Sequence, residues 1–219
     1  MGEFSNASYK LVRMKSLIYA VRHGETELNA GNKFRGFMDV PLDRNGIKQA
    51  KEIRDILSGA KLSHAYSSDL KRASETVDII LQGRDIPSKI LADIRPWNVG
   101  QFSGKPKNAE NKKALQEYAD NPDKVIPGGE SLNQFRARYK KAFDAILAEA
   151  EASISSGYGL SLIVQHASNS HELGNILYND IDALDVDPGG VIVISRTGNK
   201  LSSHVLKGAA ENTTDYGSS

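Results

Sequence analysis

Residues 16–26 read SLIYAVRHGET. An apolar run of strand length ends at Arg22 and His23, and Gly24 follows at once. A charged pair at the end of a buried strand costs desolvation unless something compensates for it. Either the strand reaches solvent there, or the pair faces a charged ligand. The company this strand keeps decides which.

Downstream, Asp43 is placed to cap a helix in which Ile47, Ala50, Ile53 and Leu57 recur at helical spacing, and Gly59 stops it. Residues 62–67 (LSHAYS) read as a second strand. Ser68 or Asp69 then caps a helix whose apolar face is Ala73, Thr76, Val77, Ile80 and Leu81. Residues 92–128 are irregular, broken by Pro96, Pro106, Pro122 and Pro127, with one helical piece near 108–120. The longest helix opens at Gly129-Glu130-Ser131 and aligns Leu132, Phe135, Tyr139, Phe143, Ile146 and Leu147 on one face. A buried strand over 160–165 (LSLIVQ) precedes a helix over 168–178. Strands at 191–195 and 201–206 close the chain as a hairpin over Thr197-Gly198-Asn199.

Strands alternating with helices predict a three-layer α/β/α sandwich with a mostly parallel central sheet. With no internal repeat, residues 14–207 read as one domain. Residues 1–13 (MGEFSNASYKLVR) read as an expression leader, with a native extension as the alternative. The small polar segment 208–219 reads as a disordered tail.

With 39% hydrophobic and 25% charged residues among 219, the chain has enough apolar material for a sizeable core. A net charge of +1 gives no global field for nucleic acid or anionic membranes, so any anion site must be local. The absence of cysteine excludes disulfides, thiolate metal sites and cysteine nucleophiles, and fits a cytoplasmic protein. No apolar run approaches the roughly 18 residues of a membrane span. Oligomeric state stays open, a dimer included.

In parallel sheets, ligands sit at the carboxyl ends of the strands. Three strand ends carry polar text: Arg22-His23-Gly24, Ser67-Ser68-Asp69 and Gln165-His166-Ala167. If the first and last strands are central and parallel, the two imidazoles meet at one sheet edge. Arg72, in the first turn of the second helix, would lie where free backbone N–H groups favour anions. Two histidines and two arginines describe a phosphate pocket. A metal site fits poorly, because it needs more ligands and the arginines would repel the ion. From position alone, solvated strand-end histidines fit as well as a phosphate pocket.

The longer text decides. RHGETELNAGNKFRGFMDVPLDRNGIKQA resembles the opening signature of the histidine phosphatase superfamily, which includes phosphoglycerate mutases: R-H-G-x-[ST]-x-x-N, then L-[TS]-x-x-G-x-x-Q-A. YSSDLKRASET, PGGESLNQFRAR and LIVQHASNSHELGNIL resemble three further blocks in the same order, so the likeness spans roughly residues 16–206. It implies a phosphoglycerate mutase-like fold, a small phosphorylated metabolite as partner with no cofactor, and His23 as nucleophile, forming a phosphohistidine. It also implies Arg22, Arg72 and His166 as holders of the phosphoryl oxygens, and Asn29 as a further hydrogen bond. The chemistry agrees, since neutral imidazole can attack phosphorus and fixed guanidinium forks suit its equatorial oxygens. Gly24 would let the backbone turn away close to the phosphate.

The chain departs from the family pattern at the general acid. Where L-x-E-x-x-x-G-x-x-x-G is expected, IRPWNVGQFSG places Pro96 at the glutamate position, and proline cannot donate a proton. Asp93, three residues upstream, is the first substitute and Glu130 the alternative. The third option is slow chemistry without an acid, a cost of about 10²–10⁴-fold. Ala167 and Ser168 follow the second histidine where the family has glycines, and the Ser168 hydroxyl could bind phosphate. His171 is expected to face solvent. Trp97 and Phe102 pack on a substrate ring or cap the core. The segment 103–128 carries Lys105, Lys107, Lys112, Lys113 and Lys124 but no arginine, which favours hydrolysis of a phosphate monoester over a mutase reaction. A weak family member that only binds phosphorylated ligands or a protein partner is the remaining alternative.

Overall fold

A computed structural model describes residues 15–157 and 159–209. One six-stranded sheet runs through it in the order β3-β2-β4-β1-β5-β6. Its strands are β1 (Lys15–Arg22), β2 (Leu62–Ser67), β3 (Ser88–Ile90), β4 (Leu160–Gln165), β5 (Val186–Thr197) and β6 (Lys200–Ala209). β3, β2, β4 and β1 are mutually parallel, while β5 and β6 add an antiparallel hairpin. The helices are α1 (Glu27–Ala30), α2 (Arg44–Ile56), α3 (Lys71–Leu81), α4 (Ala109–Asp120), α5 (Leu132–Ser155) and α6 (Ala167–Tyr178).

The pleat divides the core between the two faces. Ile18, Ala20 and Ile163 point to α5 and α6, where they meet Phe135, Tyr139, Phe143, Ile146 and Leu173. Val21, Leu162 and Val164 point the other way, to Ile53 and Leu57 of α2 and Ala73, Val77 and Ile80 of α3. This is the expected three-layer sandwich. Asp43 caps α2 through Gly46 N at 2.8 Å, as its position in the sequence implies. Ser131 and Gln134 cap α5 reciprocally.

Several boundaries differ from expectation. Neither Ser68 nor Asp69 caps α3. Its N-cap is Leu70, and Asp39 from the preceding loop accepts the Lys71 N–H at 2.7 Å instead. That frees Ser68 for His166 and Asp69 for Arg95. β5 begins at Val186 rather than 191, through an irregular Pro-Gly-Gly start that still pairs with β6. β6 reaches Ala209, so Gly208 and Ala209 belong to the sheet and not to a tail. β3 escapes sequence reading because its three residues are all exposed and carry no alternation. The proposed leader 1–13 and the tail beyond Ala209 lie outside the described residues.

Candidate active site

The register of the central strands builds the site. β1 and β4 are parallel and Arg22 pairs with Gln165, so the next residues, His23 and His166, emerge side by side. Their ring centroids are 5.0 Å apart. His23 N–H donates to the Gln165 carbonyl at 3.0 Å, which locks the two strand ends together. The His23 ring Nδ1 lies 2.7 Å from the Gly24 carbonyl. A carbonyl only accepts, so Nδ1 carries the proton and Nε2 keeps its lone pair. Nε2 is buried and has no hydrogen-bond partner.

Around it stand three guanidinium groups. Arg22 Nη1 donates to the Val186 carbonyl and lies 3.8 Å from Asp185. Arg72 donates to the Gly36 and Met38 carbonyls at 3.0 and 2.6 Å, and burial pushes it down to about 10. Burial, with Arg22 and Arg72 nearby, pushes Arg35 down to about 9. Arg22 Nε, Arg72 Nε, Arg35 Nη1 and His166 Nδ1 are all buried without partners. Unpaired buried donors are costly. Several of them gathered around one lone pair make a site for an anion rich in acceptor oxygens, and a phosphoryl group is one.

The same surroundings hold both histidines neutral. Burial, then Arg35 and Arg72, drives the His23 pKa well below the ordinary histidine value, against a smaller opposing effect of the Gly24 carbonyl. Burial, then Arg72 and His23, does the same to His166. Unfolded histidines take protons below about pH 6.5 while these two do not, so the unfolded state binds more protons and stability falls as pH drops through that range. In His166→Gln the slope of unfolding free energy between pH 5 and 6 should be shallower by about 1 kcal/mol per pH unit. Denaturant titrations at both pH values measure it, and equal slopes in the two proteins refute the assignment.

The chain's sequence matches the family description "Histidine phosphatase superfamily (branch 1)" over residues 18–206. It belongs to that superfamily. It is 35% identical over 150 residues to fructose-2,6-bisphosphatase TIGAR of Xenopus tropicalis, covering 64% of this chain and 54% of the frog protein. It is 31% identical over 157 residues to the "Probable phosphoglycerate mutase GpmB" of Proteus mirabilis, covering 67% and 72%. The chain thus spans about half the length of the frog relative. In structure it resembles the alpha-ribazole phosphatase of Shigella flexneri, with a TM-score of 0.72 and 24% identity over 88% of this chain and 96% of that one. Phosphoglycerate mutase from Bacillus anthracis gives 0.71, at 24% identity, over 89% and 93%.

A cleft opens beside the strand-end histidines, with His166 on its wall. Here it encloses about 260 Å³, and Arg35, Arg72, Pro96, Trp97, Lys107, His166, Ser168 and His171 are among the residues that line it. His23 is 0% exposed and is not among the lining residues, whereas His166 beside it is. Asn29 does not line the cleft. Its carbonyl oxygen accepts from Thr26 N and Oγ1 at 3.2 and 2.9 Å, which leaves its NH₂ end to donate elsewhere. Ser168 does line it, with Oγ accepting the Trp97 N–H at 3.0 Å. Trp97 faces the cleft, whereas Phe102 is buried beside Val99 and Ile126.

Neither acid candidate is free in the cleft. Asp93 is exposed and lines a separate groove with Ile90, Lys141 and Ala145. Both carboxylate oxygens of Glu130 are engaged, by Arg138 at 2.6 and 3.0 Å and by Asn98 N at 2.9 Å. Glu130 therefore anchors the loop carrying Pro96, which is buried at the cleft wall.

Sequence reading passed over Arg35, whose only signal is its place in Phe34-Arg35-Gly36 between two motif blocks. It also placed His171 toward solvent. That expectation fails because Ala167, Ser168 and His171 share one helical face, and that face forms the cleft wall. Among the five lysines, Lys107 reaches the cleft, and burial with Arg35 and Arg22 nearby pushes it down to about 8. Gly24 serves a different contact from the one expected. A Cβ there would lie 2.5 Å from the Gly46 carbonyl oxygen, so the turn is pressed against the start of α2.

Proposed function

We propose that this protein hydrolyses a small phosphate monoester by way of a phosphohistidine on His23. The observation that carries the reading is the buried, unpartnered Nε2 of a neutral His23 set among three guanidinium groups. In the first step Nε2 attacks phosphorus and the ester oxygen leaves. In the second, water attacks the phosphohistidine and inorganic phosphate is released. Arg22, Arg72 and His166 hold the equatorial oxygens as negative charge spreads over them, and the NH₂ group of Asn29 and the Ser168 hydroxyl are further donors. The relatives' names include both phosphatases and phosphoglycerate mutases. Hydrolysis is preferred because the segment over the cleft supplies Lys107 and no arginine, a thin basic lid for keeping a bisphosphate from water. A cleft of about 260 Å³ with Phe34, Val99, Trp97 and Leu115 on its walls suits a small metabolite.

Rapid quenching after mixing with an aryl phosphate tests the reading. An acid-labile phosphoryl group on His23 is expected, and hydrolysis with no such adduct at any time sinks it. Arg35 is assigned as a third clamp. Removing a charge-assisted hydrogen bond costs about 1.5–3 kcal/mol, so Arg35→Ala should lower kcat/KM by about 10- to 100-fold. Steady-state kinetics on the same ester measures this, and an unchanged kcat/KM removes Arg35 from the site.

A further inference from the structure

The reaction proposed above leaves one part unfilled. An alkoxide departing from phosphorus needs a proton, and the family position for the donor holds Pro96. Asp93 opens onto another groove and Glu130 is spent on Arg138 and Asn98. Among the described residues, no carboxylate lines the cleft. His166 is committed through Nε2 to the Ser68 hydroxyl at 2.8 Å and lies beside the nucleophile, not above it in the mouth of the cleft.

His171 differs. It lies on the wall of the same cleft, one helical turn beyond Ala167 and Ser168, and its side chain is 39% exposed, which allows proton exchange with water. Its Nε2 lies 3.2 Å from Asp185 Oδ1. A carboxylate in that place orients the ring, as second partners of working histidines do. Asp185 is held in turn, 3.8 Å from Arg22, and the charges of His171, Arg22 and Lys107 keep its carboxyl below the usual range. The charged groups around the pair are therefore Asp185 ahead of β5, Arg22 on β1, Lys107 before α4, and Arg35 and Arg72 across the cleft.

We propose that His171, held by Asp185, donates the proton to the leaving oxygen, the part that Pro96 cannot play. The proposal rests on the phosphatase reading. As the bond from His23 Nε2 to phosphorus forms and the P–O ester bond breaks, the Nδ1 proton of His171 passes to the departing oxygen. Neutral His171 then takes a proton from the water that attacks the phosphohistidine. Inorganic phosphate leaves, His23 regains its lone pair, and His171 is again protonated.

The test compares leaving groups. p-Nitrophenolate departs without a proton, whereas the alkoxide of glycerol phosphate needs one. In His171→Gln the ratio of kcat/KM for glycerol phosphate to that for p-nitrophenyl phosphate should fall about 10²-fold, since general acids contribute about 10²–10⁴-fold. Asp185→Asn should lower the same ratio, because the His171 ring loses the carboxylate that orients it. Taking the ratio cancels losses from folding or from a disturbed Arg22. An unchanged ratio in His171→Gln overturns the proposal, as does a fall that appears in Asp93→Asn or Lys107→Met instead. If wild type turns over p-nitrophenyl phosphate in a His23-dependent way while the ratio stays fixed, only His171 has failed. If nothing depends on His23, the phosphatase reading itself has failed.

Discussion

His23→Ala should reduce hydrolysis of an aryl phosphate by roughly 10⁴–10⁶-fold, the scale seen when a covalent nucleophile is removed from a unit that acts together. The loss is expected in kcat more than in KM. On the proposed mechanism alanine removes the atom that bonds to phosphorus but leaves Arg22, Arg35 and Arg72 in place to bind the ester. Inorganic phosphate should still bind the variant, and with less opposition, because the buried imidazole gives way to space. Calorimetry with phosphate, run beside the turnover assay, separates the two effects. A variant that retains a tenth of wild-type turnover would mean that phosphorus never bonds to His23.

Gly46→Ala should produce a large loss of stability from a single methyl group. A Cβ at Gly46 would lie 2.1 Å from the Glu25 carbonyl oxygen and 2.7 Å from its nitrogen, both backbone atoms of the turn after His23. A Cβ on Gly24 would in turn lie 2.5 Å from the Gly46 carbonyl oxygen, so the two glycines face one backbone contact. Overpacking costs about 1–3 kcal/mol where side chains can yield, and backbone on both sides places this case at about 3 kcal/mol. The displaced turn would also shift the Gly24 carbonyl that orients the His23 ring, so turnover should fall with stability. Urea unfolding reads the first effect as a lower midpoint at unchanged slope. Gly59→Ala is the control, because nothing lies within 4 Å of a Cβ there and the change should stay within about 0.5 kcal/mol. Equal midpoints for the two variants would remove the contact as a constraint.

Much of the fold was legible because its signals are local. The spacing of Ile53 and Leu57 in α2, and of Phe135, Tyr139, Phe143 and Ile146 in α5, reflects a helix buried on one face. The cap of α2, which uses the neighbouring Asp43 side chain, was found, while the cap of α3 was missed because Asp39 reaches it from another loop. The edge strand β3 was missed because it is held by pairing with β2 and buries nothing.

The site divides in the same way. Arg22, His23, Arg72 and His166 stand at strand ends or in a first helical turn, so their place follows from local structure and the parallel order of the strands. The sequence by itself put those four at strand ends and a helix start, and put Pro96 where the resemblance expects a glutamate. Tertiary structure alone decided that Arg35 joins the cluster, that Glu130 is consumed by Arg138, that Asp93 faces elsewhere, and that His171 meets Asp185 at the cleft wall. Each of those outcomes depends on which distant segment a side chain meets. Periodicity along one chain carries no record of such a meeting, because the energy that sets it belongs to the packed pair and not to either residue.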